Sequence, residues 1–220
     1  MTRQSQNINT VADLNVAITA LIAADARLGP VAEKVGTPPL RRRDDGFSGL
    51  AAIIISQQVS VASADAIHNR LGEALGDICA QRVLSVGEEG LRVCGLSRPK
   101  IRTFLNVANA EHDGTIDFVA LRALDDNDVT EKLVALKGIG PWSAEIYLLS
   151  CLGRSDVWPA GDLALQEAMK LALGLDIRPT AHDTILQAEP WRPYRSVAAR
   201  LLWSYYGVAR KMARETGGSI

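Results

Sequence analysis

LKGIGPWSAEIYLL, residues Leu136 to Leu149, sets two glycines, a proline and a tryptophan where an apolar helical pattern is already under way. Upstream, Asp125 to Leu136 reads as one helix, with Asp128 as its N-cap and Glu131 three residues on, as in a capping box. Lys137-Gly138-Ile139-Gly140 then makes a tight hairpin, whose glycines can take positive φ and leave their N–H groups uncovered. Pro141 suits the first turn of the next helix, where its missing N–H costs nothing. The apolar pattern resumes through Trp142, Ile146 and Leu149 toward Gly153. Uncovered amides at a helix N-terminus form an anion site that a DNA phosphate can fill without any base being read. By itself, Gly-x-Gly equally describes a plain αα-hairpin packed in a helical core.

Composition narrows the setting. With 220 residues and 47% hydrophobic content, the chain can bury a substantial core as one domain or two intimate subdomains. Ala and Leu abound, aromatics make up 5%, and strict apolar/polar alternation is hard to find, so the expected class is all-α. A formal net charge of −1 argues against a uniformly cationic nucleic-acid binder but leaves room for a local basic face. Cys79, Cys94 and Cys151 are odd in number and lack paired metal spacing, which suits reduced thiols serving as small core residues. His68, His112 and His182 are equally scattered, so no zinc site can be assembled from sequence-local parts. MTRQSQNINT lacks the apolar core of a signal peptide and no apolar run reaches spanning length; the expectation is a soluble intracellular protein with no membrane partner.

Along the chain, Val11 to Leu28 reads as an amphipathic helix stopped by Gly29-Pro30. TPPLRRRDDGFSG, Thr37 to Gly49, reads as a surface crossing between subdomains, with Arg41 to Arg43 solvated beside Asp44 and Asp45. A helix from Phe47 should break between Gln57 and Val61, where Val59 and Val61 flank serine. Helical segments recur at Gly72 to Leu75, Ile78 to Val86 and Lys100 to His112, punctuated by Gly87, Gly95 and Gly114, and TGGSI reads as a frayed tail. Asp162 stands immediately before another apolar-periodic helix, the place of an ordinary N-cap.

Taken together, the hairpin, a following turn with Pro159 and an aspartate at a helix start resemble the helix-hairpin-helix, Gly/Pro, Asp motif of a DNA glycosylase superfamily. Within it the chain resembles the 3-methyladenine DNA glycosylase II, or AlkA, type. ISQQVSVASADAI (Ile55 to Ile67), GLSRPKIRTFLNVA (Gly95 to Ala108) and WRPYRSVAARLLW (Trp191 to Trp203) match further blocks of that type. The four blocks run in the right order from about residue 46 to 205, which is far more specific than any one of them.

The resemblance implies a two-lobed all-α fold with a DNA cleft between the lobes, divided as residues 1–45 with 163–220 and residues 46–162. Larger bacterial relatives carry an extra N-terminal β-rich domain. Residues 1–45 read as a helix and a loop, so the expectation is the compact form. Strand-nicking members of the superfamily have a lysine two positions after the second hairpin glycine, which forms a Schiff base with the sugar. Here that position is Trp142, which cannot be an amine nucleophile, and a monofunctional enzyme using water follows. The iron–sulfur branch has four cysteines near its C-terminus; this chain has none after Cys151, so no cluster is expected.

The resemblance makes Asp162 the expected catalytic residue. Breaking an N-glycosidic bond builds positive charge on the deoxyribose, and a fixed carboxylate stabilises it while positioning water. Asp156 occupies no matched position and reads as structural or solvent-facing. Alkylation at a purine ring nitrogen makes the base a good leaving group, so one carboxylate suffices, and aromatic walls can select the cationic base by stacking and cation–π attraction. The resemblance favours Trp142, Trp191 and Tyr194 for that pocket, with Ile146 where the bacterial enzyme has an aromatic. The target must leave the stack, and the residue matching the family's wedge is Gln58. Lys137, Gly138, Ile139 and Gly140 are the expected phosphate contacts. Backbone carbonyls of Val134, Leu136 and Ile139 are the implied ligands of a Na+ or K+ ion; no cofactor is required otherwise. The expected partner is damaged double-stranded DNA, bound by a monomer in the cytoplasm (the bacterial nucleoid) or in a nucleus. A noncatalytic helix-hairpin-helix module would keep the glycines without needing Asp162, and a glycosylase for another damaged base would keep both.

Overall fold

The computed structural model describes residues 7–216, and the tail residues from Gly217 onward lie outside them. No strand occurs among the described residues, so the class is all-α as expected. Helix α1 (Val11–Ala24) begins at a capping box in which Thr10 and Asp13 satisfy each other's backbone N–H groups. It ends four residues short of the expected Leu28. Asp25 leaves helical geometry at φ −146°, and its carboxylate accepts the Arg27 N–H to start a 3-10 turn over Ala26–Leu28. Gly29-Pro30 does not stop a helix; it opens α2 (Gly29–Val35), with proline in the first turn.

Next come α3 (Phe47–Ser56), α4 (Val61–Leu75), α5 (Ala80–Val93), α6 (Arg98–His112), the single turn α7 (Phe118–Leu121), α8 (Asp126–Val134) and α9 (Pro141–Tyr147). The expected break after Phe47's helix occurs, with Ser60 capping α4. Gly87, non-helical at φ 61°, divides α5 into two helical stretches, the punctuation expected of it. Asp125, rather than Asp128, caps α8, because its carboxylate accepts the N–H groups of Asn127 and Asp128 and leaves Asp128 in the first turn. Helix α9 runs into a π turn over Leu148–Leu152. The chain closes with α10 (Leu163–Leu173), α11 (Ala181–Ala188), a 3-10 turn at Glu189–Trp191 and α12 (Arg195–Glu215).

Two compact units result. One is the continuous stretch Arg43–Leu152; the other joins the segments up to Arg42 and from Gly153 onward. The expected boundary at residue 162 therefore falls ten residues earlier. The physical reason lies in how residues 153–162 are bonded: Ser196 donates its N–H to Ser155 O, Val157 N–H donates to Ser196 Oγ, and Asp156 is clamped between Arg192 and Arg195. Asp156 is thus structural, as its sequence context suggested.

The Arg43–Leu152 unit packs α3, whose Leu50, Ile53 and Ile54 are inaccessible, with Phe104 of α6 edge-on to Phe47 at 6.2 Å. Asp45 does not pair with the neighbouring arginines; Arg122 holds it at 2.6 Å, and its carbonyl accepts the Tyr147 hydroxyl. Burial pushes the Tyr147 phenol up, well above the ordinary tyrosine range. Cys94 and Cys151 are small core residues, while Cys79 is half-buried.

In the other unit, Leu14, Ala17 and Leu21 of α1 are buried, as are Val197 to Leu202 of α12. Trp191 is wholly inaccessible, 5.5 Å edge-to-face from Trp158, and its indole N–H donates to Asp25 at 2.9 Å. The Arg27 guanidinium, and then the Trp191 N–H and the Arg27 backbone, outweigh burial and hold the Asp25 carboxyl at about 2 instead of 3.8. Because the folded carboxyl binds its proton less readily than the unfolded one, this contribution of roughly 2 kcal/mol is complete above about pH 4. It is lost as pH falls through about 2. An Asp25→Asn variant should therefore be less stable than the wild type at pH 7, with the gap closing toward pH 2 in acid titrations followed by circular dichroism.

Candidate active site

Of the two hairpin glycines only Gly138 takes positive φ; Gly140 is extended at φ −101°. Ile139 N–H donates to Leu136 O at 3.0 Å, both side chains are buried, and Gly138 between them sits at φ 97°. Gly138 also faces α6 so closely that a Cβ would lie 2.1 Å from Thr103 Oγ1. Asn106 donates its amide to Lys137 O at 3.3 Å, so two side chains of α6 hold the turn from behind. Lys137 and Gly138 are exposed, and no side chain caps the N-terminus of α9 at Gly140. A Gly138→Ala substitution meets both the clash and the left-handed backbone. It should cost on the order of 2 kcal/mol or more and weaken DNA binding, read by thermal melting and fluorescence anisotropy.

Gln58 is exposed and left-handed at φ 56°, uncommon for a residue with a Cβ. That strain, of about 1 kcal/mol, is held by bonds around it. Lys100 Nζ donates to Ile55 O at 2.6 Å, Ser56 Oγ to Ile53 O at 2.8 Å, and Gln57 Nε2 to Ser143 Oγ of α9 at 2.8 Å. Burial lowers the pKa of Lys100, yet its bond to a helix C-terminal carbonyl suits a cation. The turn carrying Gln58 is thereby bonded to the hairpin helix. On that helix Trp142 and Ile146, one turn apart, are both half-buried.

Asp162 belongs to the other unit. Its N–H donates to Pro159 O at 3.0 Å, and Gln166 closes the same turn by donating its side-chain amide to Ala160 O at 2.9 Å. Oδ1 of Asp162 accepts the Leu165 N–H at 2.8 Å, the N-cap bond of α10, and the Trp203 indole N–H at 3.3 Å. The carboxylate is half-buried and fixed in direction, so the capping and catalytic readings of this aspartate are compatible.

The aromatics sort differently from expectation. Trp191 is no pocket wall: both its ring and its N–H are consumed in the core by Trp158 and Asp25. Tyr194, at the start of α12, is half-buried in a small recess with Ile8, Asp13 and Val16. Trp203, in the same quoted block but without an assigned role, reaches Asp162. The sequence carries a weak signal for it, an indole on α12 one residue beyond the apolar pair Leu201-Leu202. Thr103 and Asn106 were likewise inside a matched block with no role attached, because only the fold brings α6 against residues 137 and 138.

The model of the HhH-GPD superfamily base excision DNA repair protein matches residues 51–193. The chain is 27% identical over 198 residues to the alkylbase DNA glycosidase-like protein mag2 of Schizosaccharomyces pombe, covering 87% of this chain and 93% of that one. Of one Bacillus subtilis relative it spans only 62%. The 3-methyladenine DNA glycosylase Mag1 of Schizosaccharomyces pombe, solved in complex with abasic DNA, superposes with a TM-score of 0.79 at 28% identity, over 86% of this chain and 95% of that one. A DNA-3-methyladenine glycosidase from Bacillus halodurans gives 0.76 at 32% identity, over 89% and 91%.

Proposed function

Because the chain belongs to the HhH-GPD superfamily of base excision DNA repair proteins, we propose that it excises alkylated purines of the 3-methyladenine and 7-methylguanine type from double-stranded DNA. The observation that carries this reading is Asp162: a carboxylate fixed by two N–H donors at a helix start, in a chain whose relatives are named as 3-methyladenine glycosylases. The target nucleotide leaves the stack, and Gln58 on its strained turn fills the gap. Phosphates rest on the Gly138 to Gly140 backbone and Lys137. The bond between the sugar C1′ and the base nitrogen breaks, and its electron pair leaves with the base, neutralising the base's charge. Asp162 stabilises the positive charge left on the sugar and orients the water that attacks C1′; the water's proton is released, and an abasic site remains.

No covalent enzyme intermediate enters this scheme, because the position of the lyase amine holds Trp142. Borohydride added during turnover should trap no protein–DNA adduct, and a trapped adduct on a denaturing gel would contradict the monofunctional reading. The hairpin carbonyls of Val134, Leu136 and Ile139 suit a Na+ or K+ ion: they are hard oxygen donors, and Leu136 O keeps a lone pair beyond the one used by Ile139 N–H. Such an ion would add positive charge next to phosphate. Trp142 and Ile146 are the base-facing candidates on α9, and the enzyme acts as a monomer.

Release of free 3-methyladenine and 7-methylguanine from methylated duplex DNA, measured by chromatography, tests the proposal. DNA binding with no release of either base would favour the noncatalytic module. Release from etheno-modified or deaminated DNA alone would reassign the substrate.

A further inference from the structure

Three tryptophans of the unit formed by the flanking segments donate their indole N–H, one to a hydroxyl and two to carboxylates. Trp158 donates to Thr184 Oγ1 at 3.2 Å and Trp191 to Asp25 Oδ2 at 2.9 Å; both rings are core. Trp203 is half-buried and donates to Asp162. The Asp162–Leu165 bond is local, the bond any N-cap aspartate makes with its own helix. By itself it ties the carboxylate to α10. The bond from Trp203 spans 41 residues and comes from α12, which packs along α10 and whose preceding seven residues, Ser196 to Leu202, are all buried. The carboxylate is therefore referenced to two helices, one of them anchored through the core.

We propose that Trp203 is a positioning residue for base excision, its indole N–H fixing the direction of the Asp162 carboxylate toward the reacting sugar. This rests on the reading of Asp162 as the catalytic group. A neutral donor on a carboxylate makes a charge-assisted bond, more directional than a packing contact. Catalysis by a preformed charge depends on such fixed orientation. The role assigned is that of the N–H, separate from anything the ring does as an apolar surface.

The test replaces Trp203 with β-(3-benzothienyl)alanine, which keeps the bicyclic shape and puts sulfur in place of N–H, alongside Trp203→Phe. Single-turnover release of 3-methyladenine should fall on the order of tenfold in both. Affinity for duplex DNA containing an abasic site and the thermal midpoint of the benzothienyl protein should match the wild type. In an Asp162→Asn background the benzothienyl replacement should cause no further loss, since the N–H then has no catalytic charge left to aim. Wild-type release by the benzothienyl protein would overturn the inference, as would a loss of affinity equal to the loss of rate. If Asp162→Asn itself leaves release intact, the catalytic reading fails first; if only the benzothienyl protein is unimpaired, the failure is confined to Trp203.

Discussion

Asp162→Asn is expected to slow release of 3-methyladenine from methylated duplex DNA on the order of 10²- to 10³-fold while leaving affinity for abasic DNA within a few-fold. The substitution is unusually clean. Asparagine is as good an N-cap as aspartate, and its carbonyl oxygen can still accept from the Leu165 N–H and the Trp203 indole. What disappears is the negative charge, the quantity the mechanism needs when the sugar becomes cationic. Single-turnover rates and anisotropy titrations on the same preparation separate chemistry from binding, and release at the wild-type rate would remove Asp162 from the mechanism.

Trp191→Ala is expected to cost about 3–5 kcal/mol of stability, lowering the thermal midpoint by roughly 10 °C in a chain of this size. Three losses coincide: a wholly buried ring, the edge partner of Trp158, and the indole donor to Asp25. The last leaves a carboxylate that is only 9% exposed short of one donor, although Arg27 still holds it. Trp191→Phe retains most of the volume and should unfold a few degrees below the wild type, with its release rate preserved. A base-pocket wall would behave the other way round, losing rate with an unchanged melting curve.

Much of this was readable from the chain because the informative residues act locally. Gly138 and Pro141 prescribe the hairpin through backbone freedom and a missing N–H, and Asp162 announces a helix start by its side chain. The misreadings share a cause of another kind. Gly29-Pro30 is ambiguous between stop and start, and Asp25, by capping a new turn, decided for start. Asp128 and Asp125 are both good caps three residues apart, and the choice lay with the chain geometry around them. Trp191 and Trp203 end the same twelve-residue step along one block, one core and one beside Asp162. Only the packing of α12 distinguishes them, because Trp191 precedes the helix and turns toward Asp25. Asp45 found Arg122 rather than the adjacent arginines, a pairing across 77 residues that no spacing rule anticipates.

The clamp on Asp156 bears on how steeply DNA affinity should respond to salt. One carboxylate holds Arg192 at 2.6 Å and Arg195 at 2.7 Å, with Glu189 also on Arg192, while Arg27 and Arg122 are taken by Asp25 and Asp45. Guanidinium groups already paired with the protein's own carboxylates displace fewer condensed cations from a duplex than free ones do. The entropy gained when phosphates shed their ion atmosphere is therefore set chiefly by the remaining basic groups, not by the 24 lysines and arginines of the composition.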